Sequence, residues 1–167
     1  MSGPTIQDRR RASARIYDAA SGRASTVPVR RLGFSFAAEP VHVAQARHRV
    51  ADLLGSAWGD GPAAEEATLV ASEVLTNGCR YGGGRVRVRA RISSQRMTLK
   101  VSTPAPWRDP EAQPDVDAES GRGLEIVRAL AESVSIAADP DGLGVSVTVV
   151  CLAAPAPTAA AMRSGAR

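Results

Sequence analysis

The stretch SEVLTNGCRYGGG, residues 72–84, combines two polar side chains with an apolar helical pattern and a run of glycines. Glu73 and Asn77 are four residues apart, so a helix places both side chains on one face. The glycines at residues 82–84 are typical of a helix end, because glycine adopts backbone conformations that other residues avoid. Nucleotide chemistry is one explanation of a carboxylate and an amide on one helix face, and ordinary polar positions at the surface and end of a helix are the other.

Hydrophobic periodicity around this stretch predicts three helices and five strands. We expect helices at residues 40–56, 63–81 and 121–133, and strands at residues 31–38, 85–92, 96–103, 134–138 and 143–152. Four arginines alternate with apolar residues in RVRVRARI, residues 85–92, so one face of this strand is wet and the other buried. The pattern predicts an α/β two-layer sandwich of the α+β class, with an antiparallel or mixed sheet covered on one face by about three helices.

The bulk composition suits one soluble domain and excludes several classes of protein. The chain has 167 residues, and no apolar run approaches the roughly 18 residues of a membrane span. The N-terminus lacks the apolar centre of a secretory signal. Cys79 and Cys151 are expected to be free, buried thiols, which favours a cytoplasmic location without membrane contact.

The positive charge is concentrated near the N-terminus. The net charge is +4, and residues 1–31 hold seven of the 21 basic residues and two of the 17 acidic ones. The remainder therefore has 14 basic and 15 acidic residues, which makes nucleic acid an unlikely partner of the body. We expect an Arg-rich mobile arm at residues 1–31, a domain at residues 32–151 and a low-complexity tail at residues 152–167. The arginine alternation is interpreted as a solvated sheet face, with a docking surface as the alternative.

Two further motifs follow residues 72–84 along the chain. A strand ends in STPAPW, residues 102–107, and ESGRGLEIV, residues 119–127, begins a helix. With these motifs in this order, residues 32–151 resemble the Bergerat-fold ATPases, the group of gyrase, sensor histidine kinases and the large heat-shock chaperone. Within that group the chain is most similar to the bacterial anti-sigma factor serine kinases.

The resemblance implies a role for each motif. Glu73 would be the general base, and Asn77 would be the ligand of a Mg²⁺ ion that bridges the phosphates of ATP. The segment at the third helix start would hold phosphate through its backbone and the positive end of the helix dipole. Its members are Gly121, Arg122, Gly123 and Leu124.

One position departs from the family pattern. Where the family has an aspartate that accepts the adenine amino group, this chain has Thr103, and Pro104 and Pro106 follow where glycine is expected. A neutral hydroxyl bonds the base more weakly than a carboxylate, by about 1–2 kcal/mol. Whether ATP and Mg²⁺ binding is retained therefore stays open.

The resemblance implies an anti-sigma factor that sequesters an alternative sigma factor and is countered by an anti-sigma factor antagonist. An active member would phosphorylate the antagonist on a serine, and homodimers are common in the family. Two alternatives stay open: a pseudokinase that only binds proteins, and a nucleic-acid-binding protein that uses the Arg-rich arm.

Overall fold

The computed structural model describes residues 12–17, 24–105, 122–138 and 144–153. Most of the predicted tail, from residue 154 onward, lies outside these ranges. So do residues 106–121, which are rich in proline and acidic residues, and residues 139–143 between the last two strands. In the described part, no helix has both the length and the apolar character needed to cross a bilayer.

A six-stranded antiparallel sheet forms one layer, with the strand order β1-β2-β3-β4-β6-β5. The strands are β1 (Ala12–Tyr17), β2 (Ala24–Ala37), β3 (Arg85–Ile92), β4 (Arg96–Thr103), β5 (Ser133–Ala138) and β6 (Val145–Leu152). The strands β3 and β4 have the predicted bounds, and exposed and buried residues alternate along β3. This alternation follows from the two-residue period of a strand that is buried on one face only.

Three helices form the second layer: α1 (Pro40–Trp58), α2 (Pro62–Tyr81) and α3 (Arg122–Leu130). Proline stands in the first turn of α1 and of α2, where its missing N–H costs no helical hydrogen bond. The predicted two-layer sandwich of the α+β class is confirmed, with all three helices packed against one face of the sheet.

The core lies between the layers and contains the residues that the periodicity predicted. The inward positions of β3 meet the apolar faces of α1 and α2, and Val50, Val74 and Val88 are among the buried residues. The end of α1 is attached to the β3–β4 turn by Trp58 Nε1, which donates a 2.7 Å hydrogen bond to the carbonyl oxygen of Ser93.

The structure around α3 differs in two respects from what the sequence suggested. The helix ends at Leu130 rather than at residue 133, because the backbone N–H of Glu132 bonds to Val150 and the chain joins the sheet. The sheet is also not a simple meander, since β6 lies between β4 and β5. The crossover through α3 carries the chain past the position of β6, so β5 forms the sheet edge.

The N-terminal segment contains more regular structure than the sequence indicated. Strand β2 begins at Ala24 rather than near residue 31, and its first residues pair with β1 from Ala12↔Val29 to Tyr17↔Ala24. The expectation of an arm without regular structure is therefore wrong for residues 12–17 and 24–31. The reason is that ladder hydrogen bonds involve the backbone, so a strand extension needs no sustained apolar period. The other residues before Ala24 lie outside the described ranges.

The glycine run joins α2 to the sheet at several points. The helix ends at Tyr81, and Gly83 and Gly84 have φ angles of 56° and 63°, which disfavour any residue with a Cβ. The carbonyl oxygen of Gly82 accepts a bond from the N–H of Ala105 after β4, and that of Gly84 accepts one from Ala38 after β2. The run therefore fixes the end of α2 against the ends of two strands.

We expect the substitution Gly82→Ala to destabilise the fold by about 1–3 kcal/mol, because the position is already packed. A Cβ at Gly82 would collide with the Gly78 carbonyl oxygen and the Thr103 side chain. Chemical denaturation of both proteins measures the change. Gly33→Ala is the control, because a Cβ at Gly33 meets nothing within 4 Å. Equal stability of the two variants would contradict the prediction.

Candidate functional site

Helix α2 brings Glu73 and Asn77 to one face, and α3 packs against that face through a glycine. A Cβ at Gly123 would lie 2.5 Å from Glu73 Oε2 and 3.8 Å from Asn77 Nδ2. Gly123 is buried, while Glu73 and Asn77 are half-buried. The structure therefore brings together three predicted site residues from two distant motifs, and only glycine fits at position 123 without moving the carboxylate.

The N-terminus of α3 gives this site a favourable electrostatic environment for anions. The helix begins at Arg122, so Gly123 lies in its first turn. The N–H groups of the first turn have no partner within the helix, and the helix dipole leaves this end partly positive. A phosphate group at this end would meet backbone donors rather than apolar side chains.

Thr103, on β4, packs against the C-terminal part of α2. It is the last residue of β4, has 6% of its surface exposed, and turns its Cγ2 methyl group toward Gly78 and Gly82. Gly78 and Gly82 follow Glu73 by five and nine residues, which corresponds to about 7.5 and 13.5 Å along the helix axis. The Thr103 subsite therefore begins directly after Asn77 and extends past the end of α2.

Helix α1 supports α2 beside the Glu73 end. Arg47 on α1 donates a 2.7 Å hydrogen bond to Thr76 Oγ1, and Thr76 donates a 2.7 Å bond to the carbonyl oxygen of Ser72. Ser72 and Thr76 immediately precede Glu73 and Asn77 in the chain. The contact therefore fixes the turn of α2 that carries both candidate functional side chains.

The described residues limit the chemistry of the site. They contain no group of three or more His, Cys, Asp or Glu side chains that could hold a metal ion. In phosphoryl-transfer sites a Mg²⁺ ion takes few protein ligands and completes its coordination with phosphate oxygens and water. The amide oxygen of Asn77 and the glycine at position 123 fit such a group.

The two cysteines are free, as predicted, although Cys79 is only partly buried. Burial raises the pKa of the Cys151 thiol to about 11, with a smaller contribution from the Glu66 carboxylate. Burial, followed by the charge of Glu39, also raises the pKa of the Cys79 thiol. Since the thiolate is the nucleophile, both shifts lower the fraction of reactive thiolate at neutral pH.

Some of the predicted site falls outside the described structure. Gly121 is not among the described residues, and neither is the side chain of Arg122. Leu124 is half-buried in the first turn of α3. The positions of Glu73, Asn77, Thr103 and Gly123 are therefore the structural basis of the candidate site.

Sequence reasoning missed Gly78 and Gly82 as parts of the Thr103 subsite. A Cβ at Gly78 would lie 2.9 Å from a methyl group of Val101 on β4. Glycine inside a helix costs about 1 kcal/mol relative to alanine, so its presence signals a close approach of two chain segments. That signal was available in the sequence at Gly78, but it does not reveal the neighbouring strand.

Comparison with known proteins identifies the architecture. The model of the histidine kinase-like ATPase domain family matches residues 36–149. The crystal structure of the RsbU and RsbW domains of Rv1364c from Mycobacterium tuberculosis aligns with a TM-score of 0.57 and 18% identity, and covers 77% of this chain and 34% of that chain. This chain thus spans about a third of the length of that protein, and the likeness concerns the fold.

A histidine kinase domain from the blue-light activated histidine kinase of Erythrobacter litoralis EL346 aligns with a TM-score of 0.43 and 18% identity. That alignment covers 66% of this chain and 61% of the other. No curated protein matches the chain.

We predict that Gly123→Ala displaces the Glu73 carboxylate without unfolding the protein. The colliding atom is the far end of a flexible side chain, and alanine favours a helix over glycine by roughly 0.5–1 kcal/mol. Thermal unfolding should therefore show an unchanged or slightly raised Tm, while a calorimetric titration with Mg-ATP shows weaker binding than wild type. Gly55→Ala in α1 is the matched control, because its Cβ meets nothing within 4 Å. Unchanged Mg-ATP affinity in Gly123→Ala would exclude this role for the contact.

Proposed function

Since this chain belongs to the histidine kinase-like ATPase domain family, we propose that it is an anti-sigma factor of the serine-kinase type. It would bind Mg-ATP, sequester an alternative sigma factor, and phosphorylate a serine of an anti-sigma factor antagonist. The packing of Gly123 against Glu73 and Asn77 carries the proposal. The resemblance of residues 72–84 and 119–127 to motifs of the bacterial anti-sigma factor serine kinases supports the choice within the family.

The proposed mechanism assigns one task to each described site residue. Bound Mg-ATP would supply the phosphoryl group and the divalent charge that stabilises it. The Glu73 carboxylate would accept the hydroxyl proton of the acceptor serine, while the amide oxygen of Asn77 would hold Mg²⁺. The backbone at Gly123 would lie against phosphate oxygens, because no side chain is in the way.

Both thiols have raised pKa values, and we assign neither of them a role in the proposed reaction. The free cysteines also support a cytoplasmic location, where thiols stay reduced.

A pseudokinase is the second candidate, and Thr103 is the observation that favours it. By resemblance, position 103 contacts the base, and here a methyl group faces α2 at this position. The base would lose a charge-assisted hydrogen bond, which weakens nucleotide binding. Calorimetric titration of the full chain with Mg-ATP tests the candidates, because the kinase requires saturable heat and absence of heat at high ATP concentration supports the pseudokinase.

We expect Asn77→Ala to abolish Mg²⁺-dependent nucleotide binding and to leave the fold intact. Asn77 is half-buried near the end of α2, so the fold loses little packing while the metal loses an oxygen ligand. Titration with ATP in the presence and absence of Mg²⁺ measures the effect. Gln45→Ala on α1 removes an exposed amide of similar chemistry and serves as the control. Wild-type Mg-ATP affinity in Asn77→Ala would eliminate the proposed metal role.

We expect Thr103→Asp to strengthen ATP binding by about 5- to 30-fold, equivalent to about 1–2 kcal/mol, and to favour ATP over GTP. A carboxylate accepts a hydrogen bond from the amino group of adenine, which guanine lacks at the corresponding position. The desolvated carboxylate should lower the stability of the nucleotide-free protein by a similar amount. Thr98→Asp, on the opposite face of β4, is the control. If the affinity for ATP and the preference for ATP over GTP are both the same as in wild type, the pseudokinase is favoured.

A further inference from the structure

The open face of the sheet, opposite the helices, carries a continuous group of cations. Each outward position of β3 is an arginine, and outward positions of β2 and β4 add three more basic residues. We call this group the basic face; its members are Arg31, Arg85, Arg87, Arg89, Arg91, Arg96 and Lys100. The four arginines of β3 and Arg96 are exposed, and Arg31 and Lys100 are half-exposed.

Acidic residues are absent from the whole sheet layer. The six strands contain no Asp or Glu, and the described acidic residues lie in the helices and their connections. None of the seven cations has a described acidic side chain within ion-pair distance. The near-neutral charge of the body, which argued against nucleic acid at the level of sequence, is therefore not evenly distributed, because none of its 15 acidic residues lies in a described strand.

The arrangement of the cations is unfavourable for folding alone. Arg31 lies directly opposite Arg91 in the register, and Arg89 lies directly opposite Lys100. Like charges directly opposite on adjacent strands are destabilising. Protection of a sheet edge does not explain the arginines, because β3 is an interior strand between β2 and β4. A polyanionic ligand would convert this repulsion into favourable contacts.

We propose that the basic face binds the phosphate backbone of double-stranded nucleic acid without sequence preference. Successive arginines on β3 are about 6.8 Å apart, twice the 3.4 Å rise per phosphate along one strand of a duplex. The row from Arg85 to Arg91 is about 20 Å long, which spans about six base pairs. Hydroxyl groups lie beside the arginines at Ser35, Thr98 and Ser102. Such groups can donate further hydrogen bonds to phosphate oxygens.

The neighbouring side chains favour a duplex over other acidic partners. The outward positions of β2, β3 and β4 between Arg31 and Ser102 hold only Arg, Lys, Gly, Ser, Ala and Thr. Hot spots of protein–protein interfaces are enriched in Trp, Tyr and Arg, and these positions offer arginine without any aromatic side chain beside it. Single-stranded nucleic acid is held largely by stacking on aromatic rings, which these positions also lack.

Fluorescence anisotropy of the full chain with a labelled 24-base-pair DNA of arbitrary sequence tests the proposal, between 50 and 200 mM KCl. We expect binding whose logarithmic salt slope is about −4 to −6, since each neutralised phosphate contributes about −0.9. The triple variant Arg87→Gln, Arg89→Gln, Arg91→Gln should bind at least about tenfold more weakly at 50 mM KCl, with the slope reduced by about 2.7. Its Tm should equal or exceed that of wild type, because two pairs of opposed cations are relieved. Its Mg-ATP titration should match wild type, because the changes lie on the face opposite the site.

The control variant Ala44→Glu, Gln45→Glu, Ala129→Glu makes the same net-charge change on exposed helix positions and should bind DNA almost as wild type does. Equal loss in both variants would overturn the proposal, as would absence of binding at 50 mM KCl. If only the triple variant Arg9→Gln, Arg10→Gln, Arg11→Gln loses DNA binding, the binding belongs to the N-terminal segment instead. Tighter binding of single-stranded DNA, or of polyglutamate, than of the duplex would also overturn it.

Discussion

The close approach of α2 to β4 is the constraint on which the rest of the structure depends. Gly78 in α2 and Gly82, directly after its last residue, face Val101 and Thr103 at distances that leave no room for a Cβ. Two left-handed glycines then turn the chain into β3, and hydrogen bonds from the glycine run reach the ends of β2 and β4. Since α2 carries the candidate site, the packing of this helix end also fixes where the site lies.

The candidate site is a product of packing between motifs rather than of either motif alone. Helix α2 provides a carboxylate and an amide, and α3 provides a glycine in its first turn where a larger residue would move Glu73. The Arg47–Thr76 hydrogen bond holds the same turn of α2 from the other side. A half-buried carboxylate between two helices is oriented by these contacts, and such preorganisation is what general-base chemistry requires.

The separation of charge between the two layers follows from the alternation of the strands. A strand buried on one face must place its polar residues on the other, and in β3 all of those residues are arginine. The acidic residues of the described chain lie in the helices and their connections. The net charge of the chain therefore does not show how charge is divided between the two layers. Two surfaces of different chemistry result, one near the N-terminus of α3 and one on the open sheet.

The sequence by itself determined the bounds of β3 and β4, the apolar faces of α1 and α2, and the family, because periodicity and the E-x-x-x-N and G-x-G motifs are local signals. It did not determine the insertion of β6 between β4 and β5, or the pairing of β1 with β2, because strand partners are chosen by backbone hydrogen bonds between distant segments. Only the tertiary structure decided that Gly123 meets Glu73, that Thr103 packs on Gly78 and Gly82, and that seven cations share a face without an acid. These are contacts and registers between elements, and the sequence of one element carries no information about which element packs against it.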